Sequence, residues 1–588
     1  MKSLFKRSKE VALKRLLLSP KEQLPPVYPD YFRLNGRTGC LADNITHGWL
    51  IGLRDSNPAI LDMFRDRDVR PYRNHLSWAG EYAGKHLTGA YYIYLLTRSE
   101  ELRADIEAFI DDLLSYQDSD GYLGCFSREC HLTGSFSQNP SVCGCTWDAW
   151  NHYHIMTGIY LWYQVTEKVE YLNAILRAAE LFLRKFYNGN PTLASIGSCE
   201  MNLAVYHIFV ILYRLTHEEK YLFFARKIEN DMSAEGMGNH IGNALNGINF
   251  YQTPWKRWEN LHFVIGVAEM YLATGEAWYL KAADHIVRSI IKTDVHNTGA
   301  FSTQEQAIGT PYTDGHIETC CVVAFNALAM RVAAITGDPV LLDFLELSHC
   351  NAVMGYFSPS GKWSTYDTPM DGSKWPSYHT INFQIRPGSP MLNCCSVNAP
   401  RGVGELSQWI FTESDGILCI NYYEPFEAVF GETRIVCDSN YPAPGVIRIN
   451  ISGTPREIKL RIPSWSSVSS VIADGEAFSA KPGTWFRVCG KEILLNLDFS
   501  PRFQDGELEY SKKSSIFSGP VLYGADSFLN PDLDIRTLPV IHASRINTLP
   551  EICKDGSIQW LADGVRLSDF YHLGVSGSVY RTWLNINH

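Results

Sequence analysis

The chain runs to 588 residues, with 45% apolar and 20% charged residues and a net charge of −11; one hydrophobic core does not grow that large, so two to four folded domains are expected. The acidic balance excludes a nucleic-acid partner, which needs a basic face. No uninterrupted apolar run is long enough to suggest a membrane span, and nothing in the composition suggests disorder.

The opening stretch, MKSLFKRSKEVALKRLLLSPKEQ, is basic and weakly amphipathic, with charges inside its apolar run. It reads as a surface helix or arm and not as a secretory signal. The 15 cysteines are accordingly expected as reduced thiols in a cytoplasmic protein. The next 350 residues or so read as helices. An apolar run, a Thr, a short polar stretch and a second apolar run recur at Thr97, Thr166, Thr216, Thr274 and Thr336. Each copy reads as the tip of an antiparallel helix pair, the Thr ending one helix and helping to cap the next. Segments such as AILRAAELFLRKF and KAADHIVRSII keep the i, i+3, i+4 apolar spacing of amphipathic helices. One hairpin cannot bury its own apolar face, so five or six in series imply stacking or closure into a toroid. The long repeat favours a closed α/α barrel with one mouth for a small ligand. Beyond residue 412 the runs shorten and alternate, as in EIKLRIPSW and EILLNLDF, with Asp-Gly and Pro-Gly turns. A helical region over 1–412 and a β-sandwich region over 413–588 are expected.

Two segments carry the chemistry: HIETCCVVAF at 316–325 and MLNCCSVNAP at 391–400. Glu318, Cys320, Cys321, Cys394 and Cys395 allow four readings. They are core filler, for which Cys is well suited; a redox pair, although C-x-x-C is absent and vicinal disulfides are strained; a structural zinc site without the usual knuckles; or a zinc-thiolate catalytic site, in which metal coordination keeps a nucleophilic thiol deprotonated. The residues alone leave these open.

Further segments resemble glycoside hydrolase family 127, the β-L-arabinofuranosidase family. DGYLGCF at 120–126, YHIMTGIYLWYQVTE at 153–167, IETCCVVAF, LNCCSVNAPRGVGEL at 392–406, LRIPSW at 460–465 and GPVLYG at 519–524 follow the family's order. The resemblance implies an (α/α)6 barrel followed by jelly-roll-like β-sandwich domains. It implies zinc held by Glu318, Cys320, Cys394 and Cys395, with Cys394 the nucleophile of a retaining hydrolase. Cys321 stands where the family has a small residue and is left out of the site. The acid/base implied is Glu305, in an EQAI context that departs from the family's G-E-A-F, with His316 held in reserve. His154 matches the family's pocket histidine; His262, Trp363 and Tyr366, and more weakly His152 and Trp258, are further substrate-binding candidates. The segment WAGEYAGKH at 78–86 departs from the family, and Glu81 and His86 are expected to line the mouth or cap the first helix.

The expected function is release of terminal β-L-arabinofuranose, or a related plant-derived pentose or deoxysugar, from imported oligosaccharides or other glycosides. The β-region is expected to brace the barrel and to shape its rim or a homodimer interface. Two alternatives stand beside this: a non-catalytic zinc-stabilised carbohydrate-binding protein, and an α/α-barrel sugar epimerase or hydrolase of different chemistry.

Overall fold

The computed structural model describes residues 21–73, 76–135, 146–380, 392–546, 548–575 and 577–588. The basic opening stretch falls almost wholly outside these residues. The principal helices are α1 (Arg37–Ile45), α2 (Glu81–Thr97), α3 (Glu100–Ser115), α4 (Asp148–Thr166), α5 (Val169–Phe186), α6 (Tyr206–Thr216) and α7 (Glu219–Met232). They continue as α8 (Asn260–Thr274), α9 (Ala277–Thr293), α10 (Thr319–Thr336), α11 (Pro339–Ser348) and α12 (Cys394–Gly404).

The helices fall into two kinds. In α5 the buried residues are Tyr171, Ala174, Ile175, Ala178, Ala179, Phe182, Leu183 and Phe186, a single stripe at helical spacing. In α2 every residue from Glu81 to Leu96 is buried, so no stripe exists to be read. The one-faced helices α3, α5, α7, α9 and α11 each pack on the more deeply buried helix that precedes them. The inner helices touch in cyclic order: α2 on α4, α4 on α6, α6 on α8, α8 on α10, α10 on α12, and α12 back on α2. Helix α10 is long and apolar enough to cross a membrane by length and composition, and it is largely buried inside this ring.

The recurring Thr ends five of the six inner helices in one way. The hydroxyls of Thr97, Thr166, Thr216, Thr274 and Thr336 donate to the carbonyl four residues back, at 2.7–3.0 Å. The same oxygens accept from the backbone N–H two residues on, at 3.2–3.4 Å. The residue between (Arg98, Glu167, His217, Gly275 or Gly337) takes the left-handed conformation that reverses the chain. Outer helices then start at once, with Ser99 and Asp338 capping two of them through their side chains.

The C-terminal region is sheet-rich. A seven-stranded sheet and a four-stranded sheet are built largely from residues 411–496, and a further sheet from residues 502–581. The strand Tyr31–Leu34, from the helical end of the sequence, forms the edge of the first sheet by pairing with Phe426–Phe430. The LRIPSW segment clamps the two regions. Arg461, fully buried, donates to Asp343 at 2.6 Å and to Asn421 O at 2.9 Å, and pairs with Glu346 of α11. Trp465 Nε1 donates to the other Glu346 oxygen at 2.7 Å. Removing one partner of a buried pair strands the other charge. Arg461→Met is therefore expected to lose about 3–5 kcal/mol, most of it recovered in Arg461→Met/Glu346→Leu, as checked by thermal unfolding.

Candidate active site and metal centre

The N-terminal ends of inner helices converge on one cluster. Glu318 is the N-cap residue of α10, and Cys320 is the second residue of that helix. Cys394 and Cys395 are the first two residues of α12, whose N-cap Asn393 accepts from Ser396 N at 2.9 Å. Helix N-termini favour negative charge. One ligand atom from each of Glu318, Cys320, Cys394 and Cys395 lies within 4.8 Å of the others, and all four residues are buried. Cys395 Sγ is 3.5 Å from Cys320 Sγ, 3.9 Å from Cys394 Sγ and 3.3 Å from Glu318 Oε1. Tetrahedral zinc with bonds of about 2.3 Å sets sulfurs about 3.8 Å apart. Glu318 Oε2 is buried without a hydrogen-bond partner among the described residues. The donor set, spacing and orphaned oxygen fit a zinc ion. Cys321 is not one of the four.

The electrostatics of the four are uneven. Burial raises every thiol, but at Cys320 hydrogen bonds from Cys394 and Cys395 and the Lys85 ammonium outweigh it and hold the group at about 6. Cys394 is pushed up to about 12, chiefly by burial. Burial and the neighbouring Cys394, Glu305 and Glu259 raise Glu318 well above the usual carboxylate range. Burial thus keeps Cys394 a thiol near neutral pH, and a cation beside it would favour its thiolate.

Tyr366 stands against Cys394, its hydroxyl 3.4 Å from the sulfur. The pairing of 317–319 with 366–368 holds it there, through Thr319 N to Tyr366 O at 2.9 Å and Thr368 N to Ile317 O at 2.9 Å. His154 and His262 lie on an adjoining wall with their rings 5.2 Å apart, edge-on to Trp150. Tyr153 OH pairs with His262 Nδ1 at 2.9 Å. His154 Nε2, His262 Nε2 and Trp258 Nε1 are buried with no partner among the described residues. Burial first, and the Lys85 ammonium with it, keeps both imidazoles neutral. Gly84 brings α2 against α4 here: a Cβ on it would lie 2.1 Å from the His154 carbonyl carbon.

Glu305 is ion-paired with Arg257 at 2.6 Å and is about one-third exposed. It stands close enough to raise both Glu318 and Asp367. His316 is exposed and 3.4 Å from Asp367. Asp367 itself is a carboxyl that local spacing overlooked; burial first, then Glu305 and Cys394, push it up to about 6 against the pull of His316. Trp363 is placed elsewhere, lining a small neighbouring hollow with Trp49, Phe357 and Ser396. His152 is structural: its Nε2 accepts from Leu123 N at 3.1 Å and its Nδ1 faces Asp148, which also holds Tyr122 of the DGYL segment. Glu81 does reach the site, whereas His86 points away onto Phe109, with neither ring nitrogen partnered among the described residues.

Burial lowers His86 from the usual imidazole range to about 3. Between about 6.5 and that value the unfolded chain binds a proton that the folded chain refuses, so stability falls as pH falls through this window. His86→Leu is expected to flatten the acid limb of a melting-temperature profile and to leave it unchanged above about pH 7.

Comparison with known proteins agrees with this geometry. The family model for the β-L-arabinofuranosidase, GH127 catalytic domain matches residues 52–408. The non-reducing end β-L-arabinofuranosidase of Bifidobacterium longum subsp. longum is 22% identical over 503 residues, covering 76% of this chain and 75% of that protein. A GH127 β-L-arabinofuranosidase structure from Geobacillus stearothermophilus T6 superposes with a TM-score of 0.74 at 16% identity, covering 95% of this chain and 100% of that one. The GH127 β-arabinofuranosidase BT3674 gives 0.75 at 18%, covering 96% and 98%; at such identities these structures establish likeness of fold. The chain belongs to the GH127 β-L-arabinofuranosidase family and is a glycoside hydrolase.

Proposed function

We propose that this glycoside hydrolase is a zinc-dependent retaining enzyme that releases terminal β-L-arabinofuranose, or a related plant-derived pentose or deoxysugar, with Cys394 as nucleophile. The observation that carries the reading is the convergence of Glu318, Cys320, Cys394 and Cys395 on one point. The cyclic order of the inner helices supports an (α/α)6 barrel, with jelly-roll-like β-sandwiches behind it. The helix-to-strand change at Phe411 supports a boundary near residue 412. A cluster that works only as reduced thiols favours a cytoplasmic location.

Zinc bound by these residues would keep their thiols deprotonated. The rest is the chain's own chemistry. Cys394 Sγ attacks the anomeric carbon from beneath while the glycosidic C–O bond breaks and Glu305 gives its proton to the leaving oxygen. Water then attacks the same carbon, Glu305 takes its proton, the C–S bond breaks, and the sulfur leaves as thiolate. Two inversions return the starting configuration. Tyr366 and the neutral His154 and His262 meet the sugar hydroxyls.

The test is hydrolysis of an aryl β-L-arabinofuranoside by the zinc-loaded protein. Turnover supports the assignment; silence there with turnover of another aryl pentoside or deoxysugar keeps the chemistry and changes the sugar. Metal binding with silence on all of them favours the carbohydrate-binding alternative. Glu305→Gln is expected to lower kcat about 10²- to 10⁴-fold on an alkyl glycoside, and less in the first step on a nitrophenyl one. A larger loss in Asp367→Asn than in Glu305→Gln would move the acid/base role to Asp367.

A further inference from the structure

The cluster has a cation of its own beside it. Lys85, on the first inner helix, is fully buried. Its Nζ donates to Glu81 Oε1 at 2.9 Å and reaches Cys320 Sγ at 3.8 Å. The ammonium lies 5.1 Å from the Trp258 ring centre and 5.9 Å from that of Trp150. Glu81 is buried in turn, its other oxygen held by Trp150 Nε1. Asn398 Nδ2 also donates to Cys320, at 3.4 Å. Besides the neighbouring thiols, Cys320 is thus met by donors from two other helices, Lys85 of α2 and Asn398 of α12.

A buried lysine is costly unless its charge has work to do. Here three thiolates and a carboxylate would set four negative charges against a divalent cation in a water-poor site. Groups behind the direct ligands orient them and adjust their charge. We propose that Lys85 is a positioning residue of this centre: its buried ammonium, anchored by Glu81, supplies the countercharge that lets the four ligands hold a divalent cation, and it ties down Cys320, the ligand it touches. This inference rests on the metal-site reading of the cluster.

The experiment is Co²⁺ and Zn²⁺ titration of the full-length apo protein, read by the thiolate-to-cobalt absorption band and by competition with a chelator. The wild type is compared with Lys85→Met and with Glu81→Gln/Lys85→Met, which removes both charges so that no carboxylate is stranded. Both variants are expected to bind metal about 10- to 100-fold more weakly, with a shifted cobalt band. The double variant is expected to keep the wild-type circular dichroism spectrum, which separates this loss from misfolding. A folded double variant with wild-type affinity and an unshifted band would overturn the role of Lys85 and leave the metal site standing. A wild type that binds neither metal would overturn both.

Discussion

Cys394→Ala is expected to bind zinc but to turn over aryl β-L-arabinofuranoside at least about 10⁴-fold more slowly than the wild type, as loss of a nucleophile does elsewhere. The expectation follows from position. Cys394 is the first residue of α12 and faces the Tyr366 hydroxyl at 3.4 Å. Cys320 is buried behind it, under Lys85 and Asn398. The loss should appear in kcat and kcat/KM together, because the sulfur acts on the reacting carbon and not in ground-state binding. Cys321→Ala, next to a ligand but outside the four, is the control and should retain turnover.

The second large effect is removal of the metal. Chelation, or Glu318→Gln, is expected to abolish turnover and to lower the melting temperature, with Zn²⁺ restoring the chelated wild type but not the variant. A ligand that binds only the folded chain stabilises it by about 4 kcal/mol when its free concentration is about a thousand times Kd. Without the cation Cys394 stays protonated near neutral pH, since burial pushes it up to about 12, and the cluster loses the ion that would tie its four members together. Differential scanning calorimetry with and without chelator, beside activity on the same samples, measures both halves.

Legibility in the sequence followed distance along the chain. The outer helices were readable because each buries one stripe, as α5 does. The inner helices have no stripe and were readable through the Thr that ends them, whose hydroxyl makes the same pair of bonds at all five positions. The strand Tyr31–Leu34 was not readable: it has four residues and its partner lies some 400 residues away. The residues alone left the role of Glu318, Cys320, Cys394 and Cys395 open; the family resemblance singled them out, and the two motifs stand at the starts of two helices that the fold brings together. Glu81 carried a hint, as a departure from the family's pattern. Lys85 and Asp367 carried none, because nothing local marks a lysine that will be buried against a thiol or a carboxyl that folds beside Cys394. Trp363, an aromatic near the right segments, lines a small hollow with Ser396, two residues on from Cys394.

The measurement that bears most directly on the whole account is a rapid-quench peptide mass spectrum of the zinc-loaded Glu305→Gln variant, taken during turnover of a nitrophenyl β-L-arabinofuranoside. With departure of the leaving group eased and water activation crippled, a single pentosyl adduct should accumulate on the peptide that carries Cys394. Turnover with the adduct on a carboxylate, or with no adduct formed by a variant that still inverts the sugar, would contradict the thiolate mechanism.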